Sequence, residues 1–305
     1  MNDSNLDSTG ASGAIAQTIT ARAQDLGDFA VRRSLPTTAR RTVGPFVFVD
    51  HFGPVQLPPG RGLDVRPHPH IGLATVTYLF EGEIVHRDSL GTVQTIRAGD
   101  INWMTAGRGI VHSERSPDHE RVRGARLHGM QIWVALPREL EETAPAFVHT
   151  PAAALPRVNR PGAEIAVLIG AAFGVRSPVT TLSPTLYCAL TLASGAQLML
   201  DADAAERALY VASGDVALAG TVLSPGTLAV LGDVAAPVLT ARSAAHVMLL
   251  GGAALDGPPI NGASPRLMWW NFVASRRELI EQAKADWAAQ RMGQVPGETE
   301  FIPLP

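Results

Sequence analysis

Apolar and polar positions alternate in short runs between Val43 and Pro137. TVTYLFEGEIVHRDS alternates and turns at Glu81-Gly82. IRAGDINWMTAGRG reads as strand, turn, strand around Ala98-Gly99-Asp100. MQIWVALP, Met130 to Pro137, reads as a buried strand that stops at a proline. Many short strands at regular spacing predict a sandwich or barrel. From Glu164 the strand signals resume, and YVASGDV followed by LSPGTLAVL mirrors YLFEGEI followed by IRAGDINWM. The turn glycines lie 17 positions apart in the first copy (Gly82, Gly99) and 12 in the second (Gly214, Gly226). The pattern predicts an all-β chain made of two copies of one small antiparallel β-barrel in tandem. The expected division is a flexible tail at 1–15, a first barrel at 16–145, a Pro-rich linker at 146–163, a second barrel at 164–274, and a C-terminal helix and tail at 275–305. Ser275 and Glu278 fit a capping box for that helix. Leu279, Ala283 and Trp287 share one face, and Gly293 is placed to end it.

Composition narrows the function classes. The chain has 305 residues, 46% hydrophobic and 17% charged, with a formal net charge of −3. That balance offers no attraction to nucleic acid or anionic lipid, so neither is an expected partner. Cys188 is the only cysteine, which excludes an intrachain disulfide and a cysteine metal cluster. The polar N-terminus does not read as a signal peptide, and no apolar run approaches the roughly 20 residues of a membrane span. A cytoplasmic location is expected.

The chemistry concentrates in RPHPHIGLATVTYLFEGE. Residues i and i+2 of a strand point the same way, so His68 and His70 project together. GRGIVHSE places His112 and Glu114 two apart on a later strand. Three imidazoles and a carboxylate on two strands can close around one divalent metal, with iron, manganese, nickel, copper and zinc all suited to that donor set. Glu114 can also accept a proton from a substrate. An isolated HxH is a weak signal; its pairing with HxE across glycine turns is much stronger. The repeat supplies a control: counted from Gly214 and Gly226, the matching positions are Leu200, Ala202, Leu239 and Ala241. The second copy is expected to lack the ligands.

VDHFGP, RPHPHIGLATVTYLFEGEIVHRDSLG and AGDINWMTAGRGIVHSE resemble the signature of the pirin family of the cupin superfamily. The resemblance implies a bicupin: two double-stranded β-helix (jelly-roll) barrels face to face, with metal only in the first. It implies His68, His70, His112 and Glu114 as ligands and Glu114 as the catalytic group. Iron(II) is then the expected ion, with nickel, manganese, copper, cobalt or zinc as alternatives. Some bacterial members resemble quercetin 2,3-dioxygenases, which implies a small aromatic or flavonol-like substrate and dioxygen. The alternative is a metal- and redox-dependent regulatory protein that binds a protein partner without catalysis. One departure stands out: many cupins carry glutamate where this chain has Ala74. By period two, Ala74 is expected on the face of His68 and His70, with Val76 and Tyr78 continuing it into the barrel and Tyr78 a candidate pocket floor. Arg108 is read as a partner for Glu114 or for an anion, and Gly53 to Arg61 as a lid or a plain connector. His51 is read as either a neighbour of the ligands or a structural histidine. His86, His119, His128 and His149 have no partner spacing and are read as solvated or core.

Overall fold

The alternation that marks residues 73–81 in the sequence divides two environments in the structure. In a computed structural model describing residues 13–25, 30–201, 204–256 and 266–305, Leu73–Glu81 is a strand. It lies third in a seven-stranded antiparallel sheet ordered Ala146–Thr150, Ile101–Thr105, Leu73–Glu81, Arg126–Ala135, Phe46–Gln56, Ala30–Leu35, Arg22–Asp25. A four-stranded sheet ordered Asp64–His70, Ile110–Arg115, Glu83–Asp88, Val93–Arg97 completes the first domain. The second domain repeats this plan. Its seven strands run Ile15–Thr20, Thr227–Leu231, Glu206–Ser213, Ala245–Gly252, Thr185–Leu192, Ala163–Ile169, Arg157–Arg160. Its four run Gln197–Met199, Val238–Ala241, Val216–Leu218, Thr221–Leu223. The tandem duplication read from the glycine turns is therefore present strand for strand. Among the described residues no helix is long and apolar enough to cross a membrane.

The two seven-stranded sheets pack on each other through a shared core that includes Val49, Val76, Ile132, Tyr187, Leu228 and Leu250. Removing such area from water is the main force joining the domains. Ala74, Val76 and Tyr78 belong to this inter-domain core. That corrects the expectation that they face the ligand histidines. The strand carrying His68 and His70 ends at His70, and the chain bends through Ile71-Gly72 before the next strand begins. The period-two count does not survive the bend. Gly72 has φ +67°, and a Cβ there would lie 1.9 Å from the Val273 carbonyl oxygen. Only glycine fits.

The segment expected as a linker is instead part of both sheets. Ala146–Thr150 pairs with Ile101–Thr105, and Arg157–Arg160 pairs with Ala163–Ile169. The expected tail lies outside the described residues except for 13–15, where Ile15 is buried and starts a strand of the second domain's sheet. After the second domain the chain returns to the first. Helix Arg277–Ala288 packs Ile280, Ala283 and Trp287 with Ile71 and Val111. The capping box does not form: the helix starts at Arg277 with Arg276 in the cap position, and Ser275 gives its N–H and hydroxyl to the buried Glu141 carboxylate at 2.8 and 2.6 Å. The helix also ends before Gly293, at Ala288, with Gln290 at φ +54°.

His51 lies in the sheet interface, fully buried, and is not beside the ligand histidines. Its Nδ1 is 2.9 Å from the Tyr210 hydroxyl of the second domain, and its Nε2 is 2.8 Å from His128 Nε2. Burial, with Arg32 and His128 adding to it, lowers its pKa to about 3. The unfolded chain therefore binds a proton below about pH 6.5 that the folded chain refuses, and stability falls as pH falls. Going from pH 7 to pH 5 is expected to cost about 2 kcal/mol through His51 alone. Urea unfolding at both pH values checks this. In His51→Gln, which keeps a donor and an acceptor, that part of the pH dependence disappears.

Candidate metal centre

Asp64–His70 and Ile110–Arg115 are neighbours in the four-stranded sheet, with His112 opposite His68 and Ile110 opposite His70. Asp64–His70 is the edge strand of that sheet, which is where Pro67 and Pro69 can sit without removing ladder bonds from a second neighbour. The three imidazoles converge. Ring centroids of His68 and His112 are 4.4 Å apart, and each is 5.0 Å from that of His70. Their ligand nitrogens all lie within 4.8 Å of one another.

The outer ring nitrogens are anchored. His68 Nδ1 donates to the Arg66 carbonyl at 2.9 Å, and His70 Nδ1 donates to the Asn271 carbonyl at 3.2 Å. A carbonyl only accepts, so both rings carry their proton on Nδ1 and present Nε2 as a lone pair. His70 Nε2 is 3.1 Å from His112 Nε2, and His112 Nδ1 is 3.3 Å from His86 Nδ1. Burial lowers all three pKa values, His68 to about 4 and the other two well below the usual imidazole range. Neutral nitrogens packed this closely are a poor arrangement by themselves and a good one around a cation. The donor set fits a divalent transition metal.

Glu114 lines the same cavity but stands outside the tight triad. A bulge between His112 and Glu114 sets Glu114 opposite Val65. Its Oε1 is 3.3 Å from the Thr77 hydroxyl, which is also 2.9 Å from the Gln131 amide oxygen. One hydroxyl proton cannot serve both, and Gln131 is the nearer. Burial accordingly pushes the Glu114 carboxyl up, against the pull of His86 and Thr77.

The cavity around these groups is about 410 Å³. Phe48 and Trp133 form one wall, stacked at 4.0 Å, and Trp133 meets His70 in a T-shaped contact at 5.1 Å. Arg33 lies over Phe48 at 4.3 Å and grips Asp50 with two bonds of 2.8 Å. Trp270 and Ile302 come from the returning C-terminal segment. Ile302 N–H donates to the Pro67 carbonyl at 2.8 Å, so the segment covers the edge of the ligand strand.

Two expectations fail here. Arg108 does not pair with Glu114; it is exposed on a groove beside Glu141, Glu142 and Asp286. The 53–61 loop is no lid: Leu57 and Gly60 bond back to Ala125 and Arg121, and none of its residues lines the cavity.

The Pirin family model matches residues 28–134, and the Pirin C-terminal cupin domain model matches residues 187–293. The chain belongs to the pirin family. A pirin-like protein of Caulobacter vibrioides is 48% identical over 290 residues, covering 93% of this chain and 97% of that one. A Pseudomonas aeruginosa pirin relative, named as a candidate quercetin 2,3-dioxygenase, is 42% identical over 90% of this chain and 84% of its own. The crystal structure of a quercetin 2,3-dioxygenase from Acinetobacter baumannii superposes with a TM-score of 0.86 at 33% identity, covering 95% and 94% of the two chains. The bicupin expectation thus holds as two cupin-type domains in a pirin arrangement.

Within this pirin site, sequence reading missed His86, Trp133, Trp270 and Asn271 as cavity or ligand neighbours. Trp133 lies in the segment read only as a buried strand, and that segment alone does not tell which of its faces meets the cavity. Asn271 carried no signal, because its carbonyl meets His70 across 201 positions of chain.

The C-terminal segment is held at Glu298, which accepts from Arg115 at 2.6 Å and from the Ser113 hydroxyl. Bonds to charged groups contribute about 1.5–3 kcal/mol each. Glu298→Ala is expected to speed limited proteolysis beyond Val295 about tenfold, with little change in the urea midpoint of the whole chain. Unchanged cleavage would mean that Val295, Trp287 and the Ile302–Pro67 bond suffice to hold the segment.

Proposed function

We propose that this chain is a metal-dependent oxidoreductase that opens flavonol-like aromatic substrates with dioxygen, in the manner of a quercetin 2,3-dioxygenase. One observation carries the reading: three anchored neutral imidazoles and a proton-seeking carboxylate share a single aromatic-walled cavity. His68, His70 and His112 would hold a divalent ion, with Glu114 as the fourth donor. Iron(II) is the expected ion, and nickel, manganese, copper, cobalt or zinc are the alternatives. Such an ion, when bound, lowers the pKa of a coordinated hydroxyl and brings dioxygen chemistry within reach.

The chain's own residues account for the rest. Glu114 removes the substrate hydroxyl proton, a task suited to a carboxylate whose burial has raised its proton affinity. The stacked pair Phe48 and Trp133 gives the cavity an apolar aromatic wall for a planar ring to pack against. Arg33 and Asp50 supply the polar contacts on the cavity wall. The Trp270 and Ile302 side chains exclude water from the same space. The similarity to the 33%-identical quercetin dioxygenase structure, which spans nearly the whole chain, supports this choice. A metal-dependent regulatory protein would need the triad but not an apolar cavity of about 410 Å³ beside it.

Metal-loaded protein is expected to bleach the visible absorbance of quercetin, consuming one dioxygen and releasing one carbon monoxide per ring opened. Glu114→Gln should lose about 100-fold or more in kcat. With the wild type, kcat/KM should rise with pH as Glu114 ionises, because it must be ionised to accept a proton. The Gln variant should lack that rise. No turnover above a His112→Ala control with iron, nickel, manganese or copper would remove flavonols from consideration.

A further inference from the structure

His86 is the buried histidine whose position the proposed chemistry leaves unused. It lies on Glu83–Asp88, on the far side of Ile110–Arg115 from His68 and His70, with Asp88 opposite His112 in register. Both are enclosed, at 4% and 0% exposure. His86 Nε2 is 3.0 Å from Asp88 Oδ2, and His86 Nδ1 is 3.3 Å from His112 Nδ1. The His86 ring stacks on Phe147 at 4.3 Å. Asp88 is itself fixed, with its Oδ1 accepting the Leu90 and Thr92 N–H groups at 2.9 and 3.1 Å.

Proton counting gives this chain a direction. An ionised carboxylate only accepts, so His86 Nε2 carries the hydrogen and donates. A metal held on His112 Nε2 leaves that ring's proton on Nδ1, which then donates to His86 Nδ1 at 3.3 Å. That Nε2 is the nitrogen 3.1 Å from His70 Nε2. His68 and His70 lean on backbone carbonyls, which are dipoles. Through His86, His112 leans on a full negative charge.

We propose that His86 and Asp88 are positioning residues that fix His112 in its Nδ1–H tautomer and strengthen its Nε2 as a metal donor. This rests on the reading of the triad as a metal site. Partners of this kind typically change metal affinity 10- to 100-fold.

Asp88→Asn is the informative variant. Its carbonyl oxygen can keep the Leu90 and Thr92 bonds, which turns its amide N–H group toward His86. His86 must then accept at Nε2 and donate from Nδ1, so His112 accepts at Nδ1 and its proton moves to Nε2. Nitrogen-15 NMR of the metal-free full-length protein reads this directly: His112 is expected as Nδ1–H in the wild type and as Nε2–H in Asp88→Asn. Nickel(II) affinity, measured by chelator competition, should fall about 10- to 100-fold. His86→Phe, which keeps a ring against Phe147, should weaken nickel(II) binding as well, with both urea midpoints close to the wild type. An unchanged His112 tautomer together with unchanged nickel(II) affinity in both variants would overturn the proposal. If the wild type binds no nickel(II) or iron(II), the metal reading fails separately, and the tautomer comparison still decides whether Asp88 governs His112.

Discussion

Three imidazoles converge on one point, and the first domain is organised around holding them there. Each ring is denied water and pinned from behind: His68 by its own strand, His70 by a carbonyl from the C-terminal segment, His112 by another imidazole. A surface histidine would relieve such crowding by taking a proton or rotating. Burial lowers the proton affinity of all three, and the anchored Nδ1 atoms prevent rotation. A positive charge at the point of convergence would stabilise such an arrangement.

The second domain shows what the same plan becomes without that demand. Leu198 stands opposite Leu239 where His68 stands opposite His112, and both leucines are buried in a continuous apolar core with Val167, Val211 and Leu249. The first domain splits its apolar contacts into separate clusters, one around Trp133 and one around Phe52 and Ile84. The polar groups and the cavity lie with these clusters between the two sheets. The duplicated fold thus separates tasks: one copy supplies a filled core and a broad apolar face, and the other tolerates a hollow.

Much of this was legible in the chain because it is local. The glycine turns, the strand alternation and the HxH and HxE pairs all depend on neighbours within a few residues, and they yielded the duplication and the histidine triad. The repeat control chose the right strand for His112 but slipped by two on the other. Counting gave Leu200 for His68 where the register gives Leu198, and Ala202 lies outside the described residues. What could not be read required register or distance. Ala74 turned to the domain interface because Gly72 bends the chain, and His86 gained its partner from a neighbouring strand rather than from sequence spacing. The capping box at Ser275 failed for the same reason: a buried glutamate 134 positions away competed for its hydroxyl.

The two ends of the chain are exchanged between the domains. Ile15–Thr20 adds a strand to the second, and the residues after Arg266 return to wall the cavity of the first. During synthesis His68, His70 and His112 leave the ribosome between 159 and 203 residues before the carbonyl that steadies His70. A chain cut before Trp269 would carry all three imidazoles yet lack the carbonyl behind His70 and the wall that Trp270 and Ile302 give the cavity.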